Sequence, residues 1–359
     1  MAINKELYER YKAMKAQKLA QEQNTSEQVY VSPTPHTVFQ NTSYTQQFVT
    51  PSPTQTPEPI VSSYTGNVTE YKQEIGNNKL KKFALIGYPL GHSLSKYIHE
   101  AGFKSMGLNA IYEILETQPD MLVDRIKYLR SNGYCGFNVT IPLKLPVTMF
   151  LDEIDSSANV INAINTVYID PQTNYLKGYN TDAIGFRKAI PEDICLCGKT
   201  AGILGTGGAA RAAVCALANE QVKEINLYTR NVANSIEVLG FFRKSFPNVK
   251  FNSYQIDRIR DLSNINILVN CTPIGMQGHA AEYTPVEEKE LQTLPSDAVV
   301  YDVVYNPKKT LLIKLAQRHN YRTITGLDML VYQAVEAQKI WTGHVPDFKD
   351  MKIAALENL

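Results

Sequence analysis

The sequence predicts an α/β protein preceded by a disordered extension. From residue 81 onward, strand-like apolar runs alternate with helical stretches, a pattern typical of parallel sheets with crossover helices. A glycine-rich turn at 205–211 joins one of these strands to an alanine-rich helix, as in nucleotide-binding α/β folds. The first 80 residues differ sharply from this pattern. A chain of 359 residues has room for about two domains.

The extension has the composition of a disordered linker. Of the 45 residues from 24 to 68, 29 are Ser, Thr, Pro, Gln or Asn, and none is Leu, Lys or Arg. Such a segment buries too little apolar surface to offset its chain entropy. We therefore predict disorder over 1–80, with a possible short amphipathic helix at 3–19. A regulatory tail that binds an unidentified partner is the alternative interpretation.

The ordered region divides into elements by its apolar periodicity. The predicted strands are 81–87, 110–115, 135–140, 163–169, 200–205, 225–230, 265–271 and 298–304. The predicted helices are 96–107, 120–131, 183–190, 208–219, 234–246 and 328–341.

Charge and cysteine content narrow the class of protein. Lys and Arg total 36 and Asp and Glu total 35, so there is no basic field to attract nucleic acid. No run of about 18 apolar residues is present to span a membrane. Charges fill the N-terminus where a signal peptide needs an apolar run, and the five cysteines are an odd number. We expect a soluble cytoplasmic protein with reduced cysteines.

The glycine turn has the pattern of a dinucleotide-binding loop. Gly205 permits the tight turn, Gly207 lets the backbone approach a pyrophosphate, and Ala210 keeps the helix close to the strand. The N–H groups at the start of the helix would then face the phosphates. A plain glycine turn between strand and helix is the alternative.

The end of the following strand indicates which dinucleotide is bound. An acidic residue there would hold the free ribose of NAD, but this strand ends in Tyr228-Thr229-Arg230-Asn231. The planar guanidinium of Arg230 suits a 2′-phosphate, which predicts NADP. An arginine that is merely exposed at a strand end is the alternative.

Polar residues recur at predicted strand ends, where ligands bind in open α/β sheets. Ser93 and Ser95 follow the first strand, Asn138 and Lys144 belong to the stretch that ends the third, and Asp182 precedes a helix. Each has a simpler alternative when taken alone. The serines and Asp182 could cap helices, and a lone lysine is usually solvated.

At these residues the sequence resembles the shikimate dehydrogenase family. The matching segments, in the family's order, are GYPLGHSLSKYIH, NVTIPLK, AINTV, GYNTDAIGF, GTGGAAR, NCTPIGM, YDVVYNP and GLDMLVYQA. The resemblance implies two α/β domains. One is a split substrate-binding domain, 81–186 plus 326–359, and the other is a Rossmann-like NADP-binding domain, 187–325. It also implies an oxidoreductase that reversibly reduces 3-dehydroshikimate to shikimate in aromatic amino acid biosynthesis.

The resemblance assigns roles position by position. It implies Lys144 and Asp182 as the catalytic pair, without deciding which is the formal proton donor. For shikimate it implies Ser93, Ser95, Thr140, Asn165, Tyr305 and Gln333. For NADP it implies Gly205, Gly207, Gly208, Ala209, Thr229, Arg230, Asn270, Thr272, Gly326 and Met329.

Two departures from the family pattern bear on these roles. Lys96 stands where the family usually has proline, which alters how the following helix starts. Asn234 stands where a second basic residue often follows the adenosine-phosphate motif. The alternatives that stay open are an NAD-dependent quinate/shikimate dehydrogenase and a non-catalytic ligand sensor.

Other polar residues are interpreted more simply. Gln333 lies on an apolar stripe of its helix, so its amide needs either a ligand or buried backbone as a partner. We interpret His92 and His99 as structural. No His/Cys cluster has metal-binding spacing, so no metal is expected.

Overall fold

A computed structural model describes residues 79–91, 93–278 and 280–359, without the side chains of Asn234 and Glu237. The described residues belong to one compact unit. The predicted extension, except for its last two residues, and the predicted helix at 3–19 lie outside the described residues.

The first sheet has six strands in the order β2-β1-β3-β5-β6-β4. These are β1 (Lys81–Gly87), β2 (Ala110–Glu116), β3 (Tyr134–Val139), β4 (Glu153–Ile154), β5 (Thr166–Ile169) and β6 (Leu176–Tyr179). Between them lie the helices α1 (Ser95–Ser105), α2 (Leu122–Ser131) and α3 (Ser156–Ile161). The last five residues of β1 are buried, as its apolar run predicts.

The first sheet is mixed: β1 pairs in parallel with β2 and β3, as predicted, but the prediction is wrong for β5, which runs antiparallel to both β3 and β6. A tight turn joins β5 directly to β6, where the Asp170 carboxylate accepts hydrogen bonds from the N–H groups of Gln172 and Thr173 at 3.0 and 2.7 Å. A hairpin of this kind needs no crossover helix. The predicted strand at 163–169 corresponds to β5 but begins only at Thr166.

The second sheet has six parallel strands in the order β12-β11-β10-β7-β8-β9. They are β7 (Thr200–Leu204), β8 (Glu224–Thr229), β9 (Lys250–Gln255), β10 (Ile267–Asn270), β11 (Val299–Asp302) and β12 (Arg322–Thr325). Helix α4 (Asp182–Lys188) precedes this sheet in the chain, and between its strands lie α5 (Gly208–Asn219), α6 (Val232–Ser245), α7 (Glu288–Leu291) and α8 (Leu311–Arg318). This is the doubly wound order of dinucleotide-binding folds, which confirms the predicted fold class, and its switch point lies between β7 and β10.

Two helices join the sheets. α4 (Asp182–Lys188) follows the first sheet's strand β6, and α9 (Gly326–Thr342) follows β12 and leads to α10 (Phe348–Glu357). They pack closely because Gly185 has no side chain: a Cβ there would lie 2.7 Å from the Met329 carbonyl oxygen. An ion pair between Lys188 and the buried Glu336 also links the two helices.

An aromatic cluster fills the core between β1, β2 and α9. His99 is fully buried, and its ring stacks on Tyr112 with centroids 4.2 Å apart. Gln338 Nε2 lies 3.1 Å from His99 Nδ1 and donates to the His99 carbonyl oxygen at 2.8 Å, so Nδ1 accepts. His99 Nε2 has no hydrogen-bond partner within the described part of the chain. This histidine is packed as a neutral ring.

We expect His99 to make the fold acid-sensitive. Burial lowers the pKa of His99 from 6.5 to about 3. Between those values the unfolded chain binds a proton that the folded chain does not, so stability falls as the pH falls. Lowering the pH from about 6.5 to about 5 should therefore remove about 2 kcal/mol of unfolding free energy that depends on this residue.

Urea unfolding of the wild type and His99→Phe at several pH values checks this expectation. The substitution should flatten the acid side of the stability curve, whatever its effect at neutral pH. A His344→Gln variant, which alters an exposed histidine whose backbone alone bonds to the Thr342 hydroxyl, serves as the control. Equal acid slopes for wild type and His99→Phe would contradict the prediction.

Candidate active site

The polar residues predicted at strand ends meet at one edge of the first sheet. β3 and β6 end at this edge, and β5 begins there because it runs antiparallel to both. Thr140 follows β3, Asn165 precedes β5, and Asp182 comes three residues after β6. The antiparallel strand thus places the start of one segment beside the ends of two others.

Lys144 and Asp182 form an ion pair at this edge through Nζ and Oδ2. Their side chains are only 18% and 9% exposed, so the pair is largely withdrawn from water. Asp182 Oδ1 accepts a hydrogen bond from Asn165 Nδ2 at 2.8 Å. Both carboxylate oxygens therefore have a donor, which is what a buried charge requires.

Asp182 does not act as the helix cap. Asn180 Oδ1 instead accepts from the backbone N–H groups of Asp182 and Ala183, at 3.0 and 3.3 Å, which is the role of a capping side chain. The Asp182 carboxylate is therefore available to Lys144. Of the two interpretations of Asp182 from the sequence, the geometry supports the one that gives it chemistry.

Lys144 also reaches the glycine turn of the second sheet. A Cβ placed on Gly208 would lie 3.1 Å from Lys144 Cδ, so the lysine stem passes over the start of α5. The Lys144 carbonyl oxygen accepts from the Ile164 N–H at 2.8 Å, which anchors the lysine backbone to the first sheet. The ion pair and the predicted phosphate loop are thus neighbours.

The glycine turn has the shape of a phosphate cradle. Gly205 has φ +103°, and a Cβ there would lie 3.2–3.3 Å from Thr272 and Cys271, which follow β10. A Cβ on Gly207 would meet no atom of the described residues within 4 Å, so this glycine borders open space. None of the described side chains caps α5. Its first N–H groups therefore suit a pyrophosphate.

Asn270 and Thr272 form the other wall of the turn. Asn270 Oδ1 accepts from the Thr272 N–H and hydroxyl, at 2.9 and 2.7 Å. Asn270 Nδ2 donates to Asp302 Oδ1 at 2.9 Å. Burial raises the pKa of Asp302 to about 6, against hydrogen bonds from Thr310, the Val304 N–H and Asn270 that lower it. The Asn270 amide thus shapes the loop after β10 through internal contacts.

The predicted adenosine-phosphate residues lie at the end of β8. Thr229 is buried, and its hydroxyl accepts from the Asn231 N–H at 3.2 Å, whereas Arg230 is exposed. Gln255 Nε2 donates to the Arg230 carbonyl oxygen at 3.0 Å. Gln255 also lines a groove of about 720 Å³ along β8 and β9, together with two arginines, Arg258 and Arg260. No residue of the ion-pair cluster lines this groove.

The residues predicted for the substrate lie around the same edge of the first sheet. Ser93 Oγ accepts from the Ser95 N–H at 3.3 Å, at the start of α1. Thr140 follows β3 beside the end of β1, since its N–H donates to the Ile86 carbonyl oxygen at 2.9 Å. Tyr305 packs against the apolar cluster that contains Leu94 of the serine loop.

Gln333 has the backbone partner that its position on the helix predicted as the alternative to a ligand, and it also has a side-chain partner. Its Nε2 donates to the Leu330 carbonyl oxygen at 2.8 Å, and its Oε1 lies 3.4 Å from Asn165 Nδ2. Two further predicted residues have structural reasons to be present. A Cβ on Gly326 would collide with the Val303 backbone, and Met329 is buried in the core beside the second sheet. Their roles toward NADP stay predictions.

Three residues that support the pair, Thr166, Asn180 and Thr181, were given no role from the sequence, and Asn138 was predicted only as a polar residue near the end of a strand. Asn180 carried a usable signal, an asparagine just before a helix start. The others occupy strand and loop positions whose neighbours come from other strands.

The described residues contain no group of three or more His, Cys, Asp or Glu side chains placed to hold a metal ion. Their helices include none with the length and hydropathy needed to span a bilayer.

A doubly wound sheet whose glycine turn adjoins a buried lysine–aspartate pair is the arrangement expected of a dinucleotide-dependent oxidoreductase. Residues 85–167 match the family model of the shikimate dehydrogenase substrate binding domain, and residues 326–356 match that of the shikimate 5′-dehydrogenase C-terminal domain. A shikimate dehydrogenase (NADP(+)) of Halothermothrix orenii is 40% identical over 276 residues, 76% of this chain and 94% of its own. That of Methanocaldococcus jannaschii is 40% identical over 287 residues, 79% and 99%. The chain belongs to the shikimate dehydrogenase family.

Solved structures agree with this assignment. A shikimate dehydrogenase in complex with NADP+ is 39% identical, with a TM-score of 0.71 over 78% of this chain and 96% of its own. The Thermus thermophilus enzyme with NADP(H) and shikimate is 31% identical, with a TM-score of 0.68 over 78% and 100%. A 5-ketofructose reductase of Gluconobacter is 29% identical, with a TM-score of 0.70 over 78% and 99%.

We expect Gly185→Ala to separate the two helices that join the sheets. The new Cβ would lie 2.7 Å from the Met329 carbonyl oxygen and 2.9 Å from the Gln333 nitrogen, both backbone atoms that cannot rotate away. Overpacking of this kind costs about 1–3 kcal/mol, which urea unfolding measures.

Gly240→Ala is the matched control, because a Cβ there, inside α6, meets no described atom within 4 Å. It should raise stability by up to about 1 kcal/mol through helix propensity. A Gly185→Ala protein as stable as wild type would show that the helices tolerate a wider spacing.

Proposed function

We propose that this chain is an NADP-dependent shikimate dehydrogenase that reversibly reduces 3-dehydroshikimate to shikimate. The observation that carries the proposal is the contact of Lys144 with the glycine turn, while its ammonium group pairs with the buried Asp182. A group that can move a proton is thereby next to the predicted binding site of a hydride-carrying cofactor. The family relationship supplies the substrate class.

The described residues fit NADP. The open space at Gly207, the positive φ of Gly205 and the uncapped start of α5 suit the pyrophosphate, and Arg230 suits the 2′-phosphate. When bound, the nicotinamide supplies the hydride chemistry. The chain's own residues bind and orient the two reactants and manage the proton.

Lys144 is the member of the pair that donates the proton to the C3 oxygen of the substrate. Both Asp182 oxygens already accept hydrogen bonds, so Asp182 serves as the acceptor in this arrangement. The Lys144 ammonium group has three donors, of which one is directed at Asp182. Asp182 orients the ammonium group, and a second donor can polarise the substrate oxygen.

The remaining edge residues hold the substrate. Shikimate carries hydroxyls and a carboxylate, which match hydroxyl and amide side chains. The proposed contacts are Ser93, Ser95, Thr140, Asn165, Tyr305 and Gln333. The fit of the edge to a small polyhydroxylated acid favours this reaction over a purely sensory role, because a sensor has no need of the lysine–aspartate pair.

Steady-state assays of the purified chain test the proposal. Shikimate and quinate are each oxidised with NADP and with NAD, and 5-ketofructose is tried as a carbonyl substrate with NADPH. We expect the highest kcat/KM for shikimate with NADP. A higher kcat/KM for quinate with NAD, or for 5-ketofructose, would contradict the proposal and assign the chain another activity found with this fold.

Removing either member of the pair should lower kcat rather than abolish binding. Lys144→Ala and Asp182→Asn should each lower kcat by about 10²- to 10⁴-fold, as expected for lost general acid–base catalysis. The double variant should lose far less than the product of the two effects, since residues that act as a unit are not additive.

Lys177→Ala and Glu153→Gln provide the matched control, because these residues form a partly exposed ion pair at 2.7 Å in the same sheet. Their kcat should stay within about a factor of two of wild type. A folded Lys144→Ala or Asp182→Asn enzyme with near wild-type kcat would remove that residue from the mechanism.

Arg230 should make the enzyme prefer NADP. A charge-assisted hydrogen bond contributes about 1.5–3 kcal/mol, or roughly 10- to 150-fold in affinity. We expect the lower end of this range, because Asn234 stands where a second basic residue often occurs. Arg230→Ala should therefore raise KM for NADP by at least about tenfold and leave KM for NAD nearly unchanged.

The comparison variant is Arg318→Ala, which removes an exposed arginine that pairs with Glu288 on the second sheet's helices. It should change neither KM. Equal weakening of NADP and NAD by Arg230→Ala would show that this arginine does not contact the 2′-phosphate. The cytoplasmic location and a partner for the extension stay predictions.

A further inference from the structure

A chain of buried side chains leads from the core of the first sheet to Asp182. Its members are Tyr112 on β2, Asn138 on β3, Thr166 on β5 and Asn165, which directly precedes β5. Each is at most 5% exposed. Every link is a hydrogen bond of 2.7–3.0 Å, and backbone groups determine the direction of the links.

The amide of Asn165 can point in only one direction. Its Oδ1 accepts from the Thr181 backbone N–H at 2.8 Å, and this donor cannot become an acceptor. Asn165 Nδ2 must then face Asp182 Oδ1, at 2.8 Å. A flipped amide would turn its oxygen toward the carboxylate and its N–H groups toward another N–H, so both contacts would be repulsive.

Thr166 transmits this orientation to the next strand. Its Oγ1 lies 3.0 Å from Asn165 Oδ1, which can only accept, so the Thr166 hydroxyl donates to it. The Thr181 hydroxyl lies 3.2 Å from both Thr166 Oγ1 and Asn165 Oδ1 and completes the cluster. The Thr166 oxygen accepts from Asn138 Nδ2 at 3.0 Å.

The amide of Asn138 is held in the same manner. Its Nδ2 also donates to the Asn165 carbonyl oxygen at 3.1 Å, a backbone acceptor that determines the amide's orientation. Asn138 Oδ1 then accepts from the Tyr112 hydroxyl at 2.7 Å. Burial raises the pKa of Tyr112 well above its usual range, so this hydroxyl stays a donor.

We propose that Tyr112, Asn138 and Thr166 are positioning residues that act through Asn165 to hold the Asp182 carboxylate against Lys144. The inference rests on the proposed function for its catalytic consequence. The chain of donors ends at Asp182 Oδ1, which leaves Oδ2 for Lys144. If the Thr166 hydroxyl is lost, the Asn165 amide keeps its direction through the Thr181 N–H but loses a buried partner at Oδ1, so the Asn165 and Asp182 side chains can shift relative to Lys144.

The central test compares Thr166→Val with Thr166→Ser. Valine has nearly the shape of threonine but leaves Asn138 Nδ2 and Asn165 Oδ1 each without this partner, whereas serine keeps the hydroxyl. We expect Thr166→Val to lower kcat about tenfold and Thr166→Ser to stay within about threefold of wild type. KM for shikimate and for NADP should change less than kcat.

A second pair of variants tests the end of the hydrogen-bonded series that is farthest from Asp182. Tyr112→Phe removes the first donor without touching any proposed substrate contact, and it should lower kcat about three- to tenfold at nearly constant KM. Tyr134→Phe is the matched control, because Tyr134 is a buried tyrosine of the same sheet whose hydroxyl bonds to Glu113, outside the series of donors. It should leave kcat unchanged.

Crystal structures of the Thr166 variants separate this inference from the proposed function. Asp182 should turn away from Lys144 in Thr166→Val and keep its wild-type position in Thr166→Ser. A wild-type enzyme without shikimate turnover would refute the function, and the two structures would then decide the positioning role alone. An unchanged Asp182 and unchanged kcat in folded Thr166→Val, or equal losses in Val and Ser, would overturn the inference.

Discussion

The buried ion pair of Lys144 and Asp182 is the constraint that organises the candidate site. Withdrawing two charges from water is costly, and their attraction repays this cost only when the remaining lone pairs and protons are satisfied. Asn165 satisfies the second oxygen of the carboxylate, and Asn180 performs the capping that the aspartate would otherwise provide. Much of the polar architecture at the edge of the first sheet follows from this requirement.

The same pair links the two sheets. Lys144 belongs to the first sheet by its backbone and touches the glycine turn of the second sheet with its stem. The connecting helices α4 and α9 keep this contact in register, because Gly185 lets them approach to backbone distance. Asp182 is the first residue of α4 and Gln333 lies in α9, so the packing of these two helices also sets the geometry of the site.

The elements with strong periodicity could be predicted from the sequence. β1, the glycine turn and the helix after it were correct because each is recognised from contiguous residues: an apolar run, a G-x-G-x-x-A spacing and an alanine-rich stretch. β4, β6, β9 and β12 were missed because they are short or polar, and neighbouring strands hold them in the sheet. The direction of β5 was predicted wrongly for the same reason, because a local sequence pattern does not specify which strands a segment pairs with.

By itself, the sequence determined which residue types carry the chemistry and the approximate place of each along the chain. The lysine, the aspartate and the dinucleotide-type turn can be identified from residue types and their spacing. Only the tertiary structure decided that Asp182 pairs with Lys144 instead of capping its helix. It also decided that Tyr112, Asn138 and Thr166 form the hydrogen-bonded series that leads to this carboxylate. Hydrogen bonds between side chains depend on direction and on distances of about 3 Å, and strand pairing brings together residues far apart in the chain.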